Sequence, residues 1–298
     1  MEIKHRQWYY RGSLKSCNYS CSYCPFSKRR EGRLEAEKDE RDLLSFVERL
    51  LMIKEGGNAL LVVPYGEALR YGYYWRELAR LSGSNAFDRV GAQTNLSFSV
   101  EEMLGIYSQN GGDIEKLCLW CTFHPEMTTV ERFAEQCKLL SSYNIHYCVG
   151  AVGIPGKIEG LRKLKAVLPE GVYLWLNKMD GLGRNYTEKE IEEFLEIDSY
   201  FKQELAHYRA DLKSCHHNVF VEADGTMRRC NISRHSLGNL YEMGEGASWV
   251  REVDRRLSQQ VNCGRRECSC YLAYCNLEGE IAGEFGVYPG YRVLGDNL

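Results

Sequence analysis

The stretch SCNYSCSYCPF, Ser16 to Phe26, places three cysteines within eight residues, Cys17, Cys21 and Cys24. A closed tetrahedral metal site takes four protein ligands, so three thiolates are one ligand short. Either a fourth ligand comes from far along the chain, or the fourth position stays open for chemistry. The rest of the sequence has to decide between these two readings.

The composition describes a chain that buries a full core and carries no excess of positive charge. Its 298 residues, 44% of them hydrophobic, fit one large domain or one large and one small domain. A net charge of -3 gives no electrostatic footprint for nucleic acid. No signal peptide and no apolar run of about 18 residues is visible, which predicts a cytoplasmic protein without a membrane segment. Thirteen cysteines, an odd number, then indicate reduced thiols and metal ligands rather than disulfides.

Strand-like and helix-like segments alternate along the first 180 residues. After an extended segment at residues 7–10, the predicted strands are NALLVVPYGE, RVGAQTN, EKLCLWCTFH, HYCVGAVGIPG and VYLWLN. The first predicted helix, EAEKDERDLLSFVERLLMIKEGG, stops at Gly56 and Gly57. Six strand-helix units are too few for the closed eight-stranded barrel. The sequence therefore predicts an α/β fold, a partial (β/α)6 TIM barrel over residues 1–182.

The character of the chain changes after the sixth predicted strand. Thr187 and Glu190 form a capping box that opens a linker helix over about residues 187–212. From Cys215 onward the alternation is replaced by a predicted hairpin with an Asp224-Gly225 turn and then by a cysteine-rich tail. Residues 183–298 are thus expected to form a small C-terminal cysteine-rich extension.

The spacing C-x3-C-x2-C at the start of such a chain resembles the radical S-adenosylmethionine (SAM) superfamily. Three thiolates hold three irons of a cubic 4Fe-4S cluster, and the resemblance implies that the fourth iron chelates the amino and carboxylate groups of SAM. In the family, the reduced cluster cleaves SAM to methionine and a 5'-deoxyadenosyl radical, which takes a hydrogen atom from the substrate. The electron is expected from a donor such as flavodoxin or ferredoxin.

The resemblance also assigns cofactor-binding residues at the ends of the predicted strands, where parallel barrels build their sites. Gly66 and Glu67 of PYGEAL match the Gly-Gly-Glu motif that holds the SAM amino group, and Tyr65 replaces its first glycine. Tyr23 matches the aromatic residue that packs by the adenine. Further candidates for SAM contact are Asn95, Thr122, His124 and Asn177. Two alternatives stay open: Glu67 as an ordinary carboxylate at a helix N-terminus, and His124 as a turn cap.

The cysteines of the tail resemble a second cluster site. Cys215, nine residues, Gly225, four residues and Cys230 match the opening of the SPASM and twitch extensions, which carry auxiliary clusters in the family. The resemblance implies one auxiliary 4Fe-4S cluster, held by Cys215, Cys230 and two of Cys263, Cys268 and Cys270. The remaining thiol of these three is an outer ligand, a hydrogen-atom donor or a mere neighbour. Cys275 has no assigned role.

Other cysteines have plainer explanations. The apolar segments around Cys118, Cys137 and Cys148 predict core residues. Cys121 is open between core packing and a place in the cavity. A structural zinc site on Cys21, Cys24, Cys268 and Cys270 would make the protein a non-enzymatic zinc or iron-sulfur binding module. That alternative leaves Cys17 unexplained.

The resemblance thus implies a radical SAM enzyme that abstracts hydrogen from an unactivated carbon of a peptide or small-molecule substrate, in maturation, epimerisation or oxidation. The first cysteine stands at position 17, which leaves no room for a domain that binds a leader peptide and favours a small molecule or a separately recruited peptide. The overall pattern of motifs also resembles a small radical SAM subgroup with no assigned function, so this likeness brings no substrate.

Overall fold

The computed structural model of the chain describes residues 5–26, 30, 32–206, 208–209, 217–244, 248–259, 267–268 and 284–294. The strands are β1 (Arg6–Arg11), β2 (Asn58–Val62), β3 (Phe87–Thr94), β4 (Cys118–Phe123), β5 (His146–Gly153), β6 (Leu174–Lys178), β7 (Tyr208–Arg209), β8 (Asn218–Glu222), β9 (Thr226–Arg228), β10 (Ser236–Asn239) and β11 (Glu267–Cys268). The helices are α1 (Arg33–Leu50), α2 (Gly72–Ser82), α3 (Val100–Gln109), α4 (Val130–Ser142), α5 (Ile158–Val167), α6 (Glu188–Leu195), α7 (Phe201–Leu205) and α8 (Ser248–Gln259). No helix in these ranges is both long and apolar enough to cross a membrane.

Nine strands form one sheet in the order β10-β9-β8-β1-β2-β3-β4-β5-β6. From β1 to β6 every pair of neighbours is parallel and follows the chain order. This confirms the predicted α/β fold with a partial six-stranded barrel. Strand β8 then pairs in parallel with β1, and β9 and β10 continue the sheet antiparallel. The C-terminal hairpin therefore extends the sheet of the barrel at the β1 edge.

The sheet is buried on both faces, as parallel strands covered by helices must be. Alternate side chains of a strand point to opposite faces, so Trp8 and Tyr10 pack in the core between sheet and helices. Tyr9, between them, joins a second core on the inner face of the barrel. Trp120 and Trp175 belong to this inner core and pack edge to face, with ring centroids 4.7 Å apart.

The C-terminal segment 284–294 fills part of the inner face, a feature that no pattern in the sequence indicates. Tyr291 is fully buried there, and its hydroxyl donates to a carbonyl of β2. Arg292 is also fully buried, with its guanidinium carbon 3.8 Å from the ring centroid of Trp175 and an ion pair of 3.1 Å to Glu204. The inner core is thus built by residues from near both ends of the chain, from Tyr9 to Val293.

The first helix ends earlier than its pattern predicts. Helix α1 ends at Leu50, and the expected continuation to Gly56 is absent in the described chain. Ile53 lies just beyond the helix and is only 1% exposed, since the chain folds back onto the core before entering β2. Burial of this side chain decides the boundary, because the helical spacing alone would allow the helix to continue for almost two more turns, to Gly56.

The predicted linker helix is two helices. The capping box at its start is present, with the Thr187 hydroxyl and the Glu190 carboxylate each accepting a backbone N–H of the other residue. Between α6 and α7, however, the Asp198 carboxylate accepts the backbone N–H of Leu176 at 2.8 Å and of Tyr200 at 2.9 Å. These bonds tie the chain to β6 and interrupt the helix.

The predicted hairpin is present as β8 and β9. Gly225 has a φ of 84°, a conformation that favours glycine, and Asp224 Oδ1 accepts the backbone N–H of Thr226 at 2.9 Å. Strand β10 adds a third strand that was not predicted.

Candidate cofactor site at the barrel mouth

A cavity of about 330 Å³ opens at the C-terminal ends of the parallel strands. Among its lining residues are Cys17, Cys21, Tyr23, Cys24, Gly66, Glu67, Asn95, Thr122, His124, Asn177 and Cys230. It thus collects all seven predicted SAM-contact residues, the three cysteines of the first cluster, and one cysteine of the tail. The parallel sheet explains this, because the C-terminal ends of its strands meet on one side.

The cysteine loop is held in place from two sides. Asp39 of α1 is fully buried, and its carboxylate accepts the backbone N–H of Leu14 at 2.8 Å. On the other side, the backbone N–H of Glu67 donates to the carbonyl of Ser16 at 3.0 Å. A Cβ on Gly66 would lie 1.9 Å from that same carbonyl oxygen. Position 66 therefore needs glycine for close packing against the cysteine loop.

The Glu67 carboxylate is 2% exposed and already accepts three hydrogen bonds. Oε1 accepts from the Thr94 hydroxyl at 2.7 Å and from Leu69 N at 3.2 Å, and Oε2 accepts from Asn95 N at 2.5 Å. Burial raises the pKa of Glu67 to about 7, although the three donors act in the opposite direction. The bond from Leu69 N is the helix N-terminal role that the sequence left open as an alternative. A carboxylate has about four acceptor positions, so one position on Oε2 is left over.

Asn95 lies next to the first cysteine as well as in the cavity. Its side-chain amide nitrogen is 3.8 Å from Cys17 Sγ and donates to Asn18 Oδ1 at 3.1 Å. The backbone N–H of Tyr19 also points to Cys17 Sγ, at 3.4 Å. N–H groups that donate to a ligand sulfur tune the potential of an iron-sulfur cluster. From its sequence position Asn95 is expected to contact SAM, and no sequence pattern indicates its contact with Cys17.

Tyr23 and His124 form a pair on the cavity wall. The Tyr23 hydroxyl and His124 Nδ1 are 2.9 Å apart and share a hydrogen bond, and the two rings stack with an interplanar angle of 18°. Burial lowers the pKa of His124 to about 4, so the imidazole is neutral at neutral pH. The His124 carbonyl also accepts the backbone N–H groups of Met127 and Thr128. The residue thus lines the cavity and shapes a turn.

The three cysteines of the loop reach the same cavity, which a cluster held by all three requires. Cys21 is buried, Cys17 and Cys24 are partly exposed, and all three line the cavity. Burial raises the pKa of the Cys17 thiol and raises that of Cys21 to about 11. In the described ranges, no three His, Cys, Asp or Glu side chains are grouped closely enough to hold one metal ion. A cubic cluster binds each thiolate to a different iron, so this finding bears on single-ion sites.

The remaining cysteines fall into two groups. Cys118 and Cys148 lie in the inner core, and Cys121 and Cys137 lie in the core between sheet and helices. Cys121 is fully buried there and is not among the described residues that line the cavity. Five cysteines have side chains outside the described residues: Cys215, Cys263, Cys268, Cys270 and Cys275. The zinc alternative depends on two of them.

Several cavity residues were not predicted as site residues. The charged ones are Arg11, Lys178, Asp180 and Arg229. Lys178 ends β6, so the strand-end rule that found Asn177 also points to it. Arg229 directly precedes Cys230 and could have been found from that position. Arg11 looked like an ordinary residue at the end of β1, and the sequence carried no signal for it. Tyr65, which replaces the first glycine of the Gly-Gly-Glu motif, also lines the cavity.

Comparisons with known proteins give a fold and no close relative. No family model and no curated protein matches the chain. Among solved structures, anSMEcpe with bound AdoMet is 15% identical, with 85% of this chain and 82% of that chain aligned at a TM-score of 0.56. The same protein with AdoMet and the Cp18Cys peptide gives 15% identity, 85% and 81% coverage and a TM-score of 0.55. Streptococcus suis SuiB is 11% identical, with 83% of this chain and 66% of that chain aligned at a TM-score of 0.51. The chain therefore has the fold of radical SAM enzymes that carry SPASM or twitch domains.

Proposed function

We propose that the protein is a radical SAM enzyme that reductively cleaves SAM and abstracts a hydrogen atom from an unactivated carbon of a peptide or small-molecule substrate. The observation that carries the proposal is one cavity lined by Cys17, Cys21 and Cys24 together with the Gly66-Glu67 pair. The fold of anSMEcpe, which was solved with bound AdoMet, supports it.

Some residues of the cavity would hold the cluster, and others would bind SAM. When bound, the 4Fe-4S cluster and SAM would supply the electron transfer and the 5'-deoxyadenosyl radical. The loop cysteines would hold three irons, and Glu67 would accept a hydrogen bond from the SAM amino group through its remaining Oε2 position. Tyr23 and His124, with their stacked rings, would pack against the adenine. Asn95 would donate to Cys17 and contact SAM.

Thr122 and Asn177 complete the set of polar groups at the strand ends. Thr122 lies at the end of β4 and Asn177 at the end of β6, so they reach the cavity from two further strands. Groups fixed on rigid strands lose little entropy when a ligand binds. We assign both to SAM contacts.

The tail would add one auxiliary cluster beside the cavity. The position of Cys230 in the cavity lining supports this, and Cys215, Cys263, Cys268 and Cys270 remain candidate ligands. Four thiolates would close that cluster to SAM and leave it an electron-transfer role. A substrate radical must either lose an electron, which gives oxidation, or regain a hydrogen atom, which gives epimerisation. A thiol that ligates no iron would favour the second outcome.

Iron content and SAM cleavage test the proposal together. The anaerobically reconstituted protein should hold about eight irons, from two 4Fe-4S clusters. Replacing Cys17, Cys21 and Cys24 by alanine should leave about four irons and abolish formation of 5'-deoxyadenosine. Cys148→Ala, a buried cysteine of the inner core, is the matched control and should keep both properties.

Two outcomes would contradict this function. Retention of all iron in the triple variant would show that the loop holds no cluster. Bound zinc without acid-labile sulfide or SAM cleavage would favour the non-enzymatic binding module. Cys230→Ala tests the auxiliary cluster separately and should remove about four irons while the first cluster stays.

A further inference from the structure

The second and third cysteines of the loop are joined by a tight turn. The backbone N–H of Cys24 donates to the carbonyl of Cys21 at 3.2 Å, which closes the turn. That bond does not involve the N–H of Ser22, the first residue inside the turn. Because backbone donors need acceptors, this N–H takes its acceptor from another part of the chain.

Glu126 supplies that acceptor and uses both carboxylate oxygens. Oε2 accepts the backbone N–H of Ser22 and Oε1 accepts the Ser22 hydroxyl, each at 2.6 Å. The two residues are 104 positions apart in the sequence. Both bonds are charge-assisted, and two parallel bonds fix the direction of a contact as well as its length. This pair of bonds, the Ser22–Glu126 clamp, holds the backbone between two cysteines.

The residues around Glu126 form a rigid support for the clamp. Residues 124–128 connect β4 to α4, and the His124 carbonyl accepts two backbone N–H groups of this connection, at 2.9 and 3.1 Å. The same connection holds a second residue of the loop, since the Tyr23 hydroxyl and His124 Nδ1 share a hydrogen bond of 2.9 Å. Ser22 and Tyr23 are therefore both attached to the end of β4.

We propose that Glu126 is a positioning residue for the cysteine loop, because it fixes the Cys21–Cys24 turn to the end of β4 and keeps both thiolates where a 4Fe-4S cluster would need them. The inference rests on the proposed function, in which this loop holds the cluster. Glu126 is exposed and is not among the described residues that line the cavity, so it acts through Ser22. Its bonds compete with water and should add little to overall stability. Their effect is expected on the loop.

Two variants separate the hydrogen bonds of the clamp from its charge. Glu126→Ala removes both contacts to Ser22. Glu126→Gln keeps both, since its oxygen accepts the Ser22 N–H and its amide N–H donates to the Ser22 hydroxyl, which can donate or accept. Glu135→Ala is the matched control. Glu135 is an exposed glutamate of α4 that forms no hydrogen bond or ion pair with the described residues.

The first measurement follows iron release from the full-length, anaerobically reconstituted protein. The chelator bathophenanthroline disulfonate reports the rate, and the phase that the triple cysteine variant lacks belongs to the first cluster. This rate should rise about tenfold in Glu126→Ala, as loss of two hydrogen bonds implies. It should equal that of the wild type in Glu126→Gln and Glu135→Ala, and all four proteins should have the same melting temperature.

The second measurement does not depend on iron. Hydrogen–deuterium exchange of residues 19–24 in the cluster-free, full-length protein reports whether the turn is held. It should be faster in Glu126→Ala than in the wild type, and unchanged in Glu126→Gln and Glu135→Ala, because only the first variant releases the Ser22 N–H.

The possible results lead to different conclusions. Equal iron release in Glu126→Ala and the wild type overturns the proposal, even if exchange is faster, since the loop would then keep its cluster without the clamp. Fast release in Glu126→Gln as well would assign the effect to the charge and also overturn it. A melting temperature that falls together with iron retention would show a general structural role instead. A wild type that binds no iron refutes the proposed function, and the exchange measurement then decides whether Glu126 holds the turn.

Discussion

Replacing Glu67 by glutamine should weaken SAM binding while leaving the cluster in place. The carboxylate accepts three hydrogen bonds and has one acceptor position left for the SAM ammonium. The glutamine amide is neutral, and its nitrogen cannot accept a hydrogen bond. The variant therefore loses the charge-assisted bond to the SAM ammonium. Whichever way the amide turns, its nitrogen also meets an N–H donor, from Leu69 or from Asn95.

The expected magnitude follows from the lost charge-assisted bond. Such a bond contributes about 1.5 to 3 kcal/mol, which raises the dissociation constant of SAM about 10- to 150-fold. Anaerobic calorimetry on the reconstituted protein measures it, with iron content as the check that the cluster is intact. An affinity within twofold of the wild type, at equal iron content, would return Glu67 to its capping role at Leu69.

Thr94→Val separates direct binding from positioning. It removes the hydroxyl that donates to Glu67 Oε1 at 2.7 Å and leaves the carboxylate charge untouched. We expect a lower melting temperature and a smaller loss of SAM affinity than in Glu67→Gln. If Thr94→Val weakens SAM binding as much as Glu67→Gln does, then Glu67 acts by fixing the strand ends, and the direct bond is refuted.

Two further predictions concern the frame around the site. Gly66→Ala should displace the cysteine loop, because the new Cβ would lie 1.9 Å from the Ser16 carbonyl oxygen. About four of the eight irons should then be lost. Gly160→Ala is the control and should keep all of the iron, because no atom lies within 4 Å of its new Cβ. Full iron and full SAM cleavage in Gly66→Ala would contradict this packing argument. Burial raises the pKa of Glu204 from 4.5 to about 7 despite its ion pair with Arg292. The folded state therefore holds a proton that the unfolded state has lost, and stability should fall by up to about 3 kcal/mol as pH rises through this window. Denaturant unfolding at about pH 5 and about pH 7.5 measures this, and the free energy of unfolding of Glu204→Gln should change less between the two pH values than that of the wild type. An equal change in the two proteins would contradict the raised pKa of Glu204.

The sequence by itself determined the alternation of strands and helices, because apolar spacing reports which face of each element is buried. It also predicted that Cys17, Cys21 and Cys24 lie at one place in the fold, since residues close together in the chain stay close in the fold, and all three line the cavity. The rule that sites form at strand ends, together with the family resemblance, predicted that one site would contain Glu67, Asn95, Thr122, His124 and Asn177, and all of them line the cavity. Such features depend on local pattern or on the general geometry of parallel sheets.

Only the tertiary structure decided the features that depend on contacts between distant segments. Segment 284–294 packs inside the barrel, Arg229 comes to the cavity on a hairpin that pairs with β1, and Cys121 turns away from the cavity into the core. Glycine at position 66 acquires its reason only when Ser16 is seen beside it. No periodicity encodes these contacts, because each arises from close packing between side chains or backbone far apart in the chain, and such packing is specified by shape rather than by spacing.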